Sequence, residues 1–124
     1  MCSSDLGWVR RVYTDGREHE DLVDTFQGDS VGHWEAGTLV IDTEALDYNN
    51  EFITGLNQGR DSHVVERVLL KDPNTMQIDT VVDAPQALSA QLKHTQLYRR
   101  HKDWQQTEYD CVFDNKDNNH TIVR

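Results

Sequence analysis

Glu66, His94 and Tyr98 are the side chains of this sequence best placed to move a proton. In Ser62–Lys71, alternation puts Glu66 on one face with Val64, Val68 and Leu70, and puts His63, Val65, Arg67 and Leu69 on the other. A carboxylate among valines is desolvated, so its pKa rises, and an imidazole nearby exchanges protons near neutrality. In Leu92–Tyr98 the same alternation groups Leu92, His94, Gln96 and Tyr98 as a cavity-like row. The opposite facing, with Lys93, Thr95, Leu97 and Arg99 inward, buries two cations. The plainer reading pairs Glu66 with an arginine and leaves His94 as a satisfied, half-buried histidine.

Metal chemistry has a different candidate set. His33, His63 and His94 lie on separate predicted strands, and neutral imidazoles with a carboxylate suit zinc, copper or iron. His33 and Glu35 also share a strand face at i and i+2. The H-x-H pattern with a following Glu that marks a cupin is absent, so no cofactor is expected, and a metal only if those three histidines converge. For ligand binding, Trp34 with Gln96, Met76 and Ile78 offers a partly apolar lining, and Trp8 and Trp104 are further aromatics. Core packing accounts for the tryptophans equally well.

Nucleophilic catalysis finds no support. There is no G-x-S-x-G elbow, and Cys111 alternates with Tyr109 and Thr107 as a small core residue would. Gly28, Gly32 and Gly37 mark turns and form no phosphate-binding loop. Cys2 and Cys111 have no zinc-type spacing and do not define a redox compartment.

These residues need elements to hold them, and 124 residues suffice for one domain. A net charge of −10 repels phosphate backbones and anionic lipid, which argues against nucleic-acid binding. Apolar runs are strand-sized, such as Thr38–Ile41, so no membrane insertion is expected. Strands are predicted over Gly7–Arg17, Val31–Glu35, Thr38–Thr43, Ser62–Lys71, Met76–Asp83, Gln91–His101 and Gln105–Val112. Turns are expected at Asp15-Gly16, Ala36-Gly37 and Asp72-Pro73-Asn74-Thr75. Residues 18–30 read as acidic and irregular, Asp47–Asp61 as a loop, and Ala84–Ala90 as a short helical turn. The fold class is therefore all-β: an antiparallel meander forming a lipocalin-like barrel or strongly bent sheet.

The opening Met1–Leu6 has no apolar signal region. As codons, its Cys-Ser-Ser-Asp-Leu matches a translated sequencing-adapter end, which points to a read from environmental DNA that began inside a gene. Residues 1–6 are accordingly expected to be a non-native leader to a single β domain over 7–113, with native N-terminal strands missing and a polar, frayed tail over 114–124.

Asp29–Thr43, DSVGHWEAGTLVIDT, resembles a motif near G-H-S-x-G-x-W-E-G-D-T-L-V-V-D-T found in an uncharacterised family of small exported bacterial β proteins. Arg10–Arg17 is similar to that family's R-R-I-Y-T-D-G-R, Ser62–Arg67 to its H-V-V-E-R, and Trp104 with Glu108–Cys111 to its closing W-E-x-x-E-Y-x-C. The resemblance implies further strands upstream and a periplasmic or secreted setting, with no activity to carry over. Asp29 stands where the family usually has His, and Ala36-Gly37 replaces its G-D turn. The leading functional expectation is a barrel that binds a small, partly apolar molecule. The alternatives are an enzyme doing acid–base chemistry in that cavity and a structural domain that dimerises through an exposed strand edge.

Overall fold

The computed structural model describes residues 9–20, 22–49, 51–53, 56–57 and 59–105. Chain contacts separate a body of Arg10–Lys102 from a second unit, Met1–Val9 with Asp103–Arg124, of which Val9, Asp103, Trp104 and Gln105 are described. Trp8, the cysteines, the leader, the tail and all but the first residue of the strand expected over Gln105–Val112 lie outside the described residues.

Arg10–Lys102 is built on one antiparallel sheet. Its strands are β1 (Asp29–Glu35), β2 (Thr38–Glu44), β5 (His63–Asp72), β6 (Thr75–Asp83) and β7 (Leu92–Arg99), in the order β1-β2-β5-β6-β7. β3 (Glu51–Ile53) and β4 (Leu56–Asn57) make a separate small hairpin within the stretch expected to be loop. The all-β antiparallel expectation holds; among the described residues β1 and β7 do not pair, and the sheet is open. No helix among the described residues is long and apolar enough to cross a membrane.

Turn chemistry explains the hairpins. Ala36 and Gly37 both have positive φ, 46° and 83°, the type I′ geometry whose twist matches antiparallel strands. At the β5–β6 corner, Asp72 Oδ1 accepts the Asn74 amide at 2.8 Å behind the fixed φ of Pro73. The expected turn after β6 is present too: the Leu88 amide donates to the Ala84 carbonyl at 2.8 Å.

The register assigns every side chain to a face. Ile41, Glu66, Thr80 and His94 lie in one row across β2, β5, β6 and β7, which defines the first face. Val40, Arg67, Asp79 and Thr95 form the matching row on the second. Val40 and its neighbour Ile41 are both buried, so β2 is covered on both sides, whereas β7 is exposed at every residue except Leu92. Coverage thus falls away across the sheet.

The leading segment explains that asymmetry. Tyr13 pairs in parallel with Val31, its amide donating to Ser30 O at 3.0 Å and its carbonyl accepting from the Gly32 amide at 2.8 Å. The full strand expected over Gly7–Arg17 reduces to this one bridge in the described residues. A Cβ on Gly32 would come within 2.9 Å of Val12 Cγ1, so the bare glycine lets the segment lie close. The chain next turns at Asp15-Gly16, where Arg17 stacks 3.9 Å over the Tyr13 ring and grips Asp15 from two nitrogens. That grip holds the Asp15 pKa down to about 2. Further on, Thr25 pairs in parallel with Leu46, its amide 3.0 Å from Ala45 O. The stretch between these bridges crosses the second face.

Candidate functional site

His19 sits on that crossing stretch, pinned by Tyr13 on one side and Thr25 on the other. Its Nδ1 lies 2.7 Å from Asp29 Oδ2 and its Nε2 lies 3.4 Å from Asp42 Oδ1. Asp42 Oδ1 is also 2.5 Å from His63 Nε2. Asp42 and Glu44 occupy alternate positions of β2 and so share the second face with Asp29, the cross-strand partner of Glu44. One ligand atom each from His19, Asp42 and Glu44 can be chosen within 4.8 Å of one another. Burial works against a charged His19, but hydrogen bonds to Asp29 and Asp42 outweigh it and hold its pKa above the ordinary value.

Two open clefts flank this cluster. One of about 440 Å³ is lined by Asp15, Arg17, Glu18 and Asp29. The other, about 310 Å³, is lined by Leu22, Glu44, Arg60, Ser62 and His63 among others. Ser62 is only 4% exposed, and its hydroxyl has no partner among the described residues.

No protein-family model, curated protein or solved structure matches this chain.

The structure distributes the residues expected from sequence over both faces. Glu66 points to the first face, where Arg10 Nη2 lies 2.7 Å from its Oε2 as an ion pair without the alignment of a hydrogen bond. His94 is in the same row, with Thr80 between them. Two strand spacings, roughly 10 Å, separate their backbones, well beyond the reach of a shared proton. Tyr98 donates instead to Gln96 Oε1 at 3.0 Å. The acid–base trio is therefore not assembled, and the arginine-paired reading of Glu66 describes the geometry. His94 is exposed and not half-buried.

The histidines of the expected metal trio do not meet either. His63 and His33 are on the second face and His94 on the first. His63 joins the cluster at Asp42, while the exposed His33 bonds Glu35 Oε1 at 2.9 Å. His33, then Arg67, hold the Glu35 pKa below its ordinary value. By contrast, the residues expected to line a ligand site do share a face. Trp34, Leu39, Val68, Ile78 and Gln96 form one row, and Leu70, Met76 and Tyr98 the next.

A second polar group on the second face carries a pH signature. Asp79 Oδ1 accepts from Thr95 Oγ1 at 2.7 Å, and Gln77 donates to both its oxygens at 3.0 and 2.9 Å. These bonds place its pKa below the ordinary 3.8. A depressed folded pKa means the stabilisation is complete above about pH 4 and is lost as pH falls through the folded value. Replacing Thr95 with Val is expected to raise the Asp79 midpoint, followed by carboxyl carbon shifts in an NMR titration. An unmoved midpoint would exclude the threonine as the cause.

Sequence reading missed His19, Asp42 and Glu44, and noted Asp29 only as the residue standing where the resembling family has His. The acidic i, i+2 pair Asp42 and Glu44 beyond the apolar run of β2 was the available signal. Nothing local announced His19, whose position depends on two bridges distant in sequence.

Proposed function

We propose that this chain is a binding domain that holds an elongated, partly apolar small molecule against the first face of its sheet. The observation that carries the reading is the exposure of large apolar side chains gathered there: Trp34 at 67%, Leu70 at 68% and Tyr98 at 45%. Monomeric soluble proteins seldom leave such contiguous surface without use. Size chooses the occupant. Five strands span roughly 19 Å, and two rows about 7 Å apart give a footprint on the order of 300 Å² with side-chain margins. A stable protein interface needs about 800 Å² per partner. Aromatic rings at both ends of the patch and Gln96 beside Tyr98 supply stacking surfaces and one polar anchor.

The lipocalin-like barrel belongs with this reading: closure would require additional strand between β1 and β7 and would enclose the same face. The resemblance to exported bacterial β proteins adds a periplasmic or secreted setting. Dimerisation through β7 is less favoured, because Lys93 and Arg99 line that strand and charged side chains resist edge pairing. Nile red, a neutral planar dye, tests the proposal by its emission. A saturable one-site enhancement is expected, weakened at least about fivefold by W34A or I78S and unchanged by H63A. The reading fails if the dye shows no saturable binding, or if sedimentation shows a dimer that W34A dissociates.

A further inference from the structure

We infer that the second face carries a binding site for a divalent transition metal of the zinc class, ligated by His19, Asp42 and Glu44. One imidazole nitrogen and two carboxylate oxygens form the mixed N/O group that zinc, manganese or ferrous iron accept, whereas calcium and magnesium prefer oxygen alone. Their atoms already lie within 4.8 Å of one another. Bonds of about 2.0–2.2 Å to one central ion require only a modest inward shift of the three side chains.

The surroundings of His19 point the same way. Asp29 accepts from Nδ1 at 2.7 Å, so a metal would take the Nε2 position in place of the proton that Nε2 shares with Asp42. A carboxylate on the far nitrogen of a ligating histidine is the usual outer partner of a metal site, fixing the ring and raising its basicity. His63 orients the Asp42 carboxylate in turn, through the same oxygen that faces His19. Asp42 and Glu44 project from β2, the strand buried on both sides, so two ligands stand on the most firmly held part of the sheet.

Charge and access complete the case. Asp29, Asp42 and Glu44 bring three carboxylates together around two histidines, in a chain whose net charge is already −10. A divalent cation offsets that repulsion without requiring both imidazoles to be protonated. The 310 Å³ cleft is lined by Glu44 and His63, so solvent reaches one ligand and the hydrogen-bond partner of another. Ser62, whose buried hydroxyl is unpartnered among the described residues, borders the same cleft.

The test uses the full chain, stripped with chelator and titrated with zinc chloride by calorimetry. One equivalent is expected to bind. H19A and E44A should each weaken binding by more than about tenfold, and D29N by about tenfold although it removes no ligand. H33A, an exposed histidine elsewhere on the same face, should leave the affinity unchanged. A nitrogen-15 NMR titration of the unmutated chain gives a readout independent of folding in the variants: zinc should shift Nε2 of His19. The site is overturned if zinc does not bind, if H19A binds as well as the parent, if H33A weakens binding as much as H19A, or if the His19 ring resonances do not move.

Discussion

Replacing Gly28 with Ala is expected to lower unfolding stability by about 2–4 kcal/mol, measured from urea transitions. Two effects add. The first is conformational: Gly28 has φ +69°, where a side chain costs about 1 kcal/mol. The second is steric: an added Cβ would stand 2.6 Å from Glu44 O and 2.9 Å from Thr43 Cγ2. A backbone carbonyl in a paired strand cannot swing aside as a side-chain tip can, so overpacking adds about 1–3 kcal/mol. Gly16 separates the two contributions. Its φ is +84°, but a Cβ there would meet nothing within 4 Å, so G16A should cost only about 1 kcal/mol. Equal losses at both positions would show that the corner at Gly28 is not tightly packed.

The same corner holds the second large effect. Ser30 Oγ and Thr43 Oγ1 are 2.8 Å apart at a cross-strand pair, with Ser30 only 1% and Thr43 only 3% exposed. Each hydroxyl is satisfied by the other, in a place water does not reach. Thr43→Val keeps the shape and deletes one hydroxyl, leaving Ser30 buried without its partner, which should cost about 1–3 kcal/mol. Ser30→Ala leaves Thr43 in the same position and should cost a similar amount. The double variant removes both polar groups and is expected to lie within about 1 kcal/mol of the parent. A double-mutant cycle therefore predicts a coupling of at least about 1 kcal/mol. Additive single effects would mean that the two hydroxyls do not depend on each other.

Much of this architecture was legible because alternation and turn chemistry are local signals. Met76 and Ile78 read from alternation as residues of one lining, and the register places them on the same face of β6. Ala36-Gly37 and Pro73-Asn74 marked both long hairpins. For β5 alternation gave two mixed rows but no choice between them. What decided Glu66 was Arg10, a residue 56 positions earlier whose approach no local pattern announces. The β3–β4 hairpin escaped notice because its strands are three and two residues long, too short for a period to show. The histidine and carboxylate cluster is the extreme case. Its β2 half follows from spacing, but its His19 half exists only because two isolated bridges lay an irregular segment across the sheet.

The adjacency of Ile41 and Asp42 on β2 has an evolutionary corollary. One residue serves the apolar face and the next serves the ionic face. Inserting or deleting a single residue ahead of them within the strand would exchange the two chemistries along the rest of β2: a deletion would place the Asp42 carboxylate opposite Glu66, and an insertion would place Ile41 beside His63. A two-residue change would shift the pattern but keep each side's character. Length variation within this strand should therefore obey a parity rule, with even changes tolerated far more often than odd ones, while the loop between β2 and β5 is free of that arithmetic.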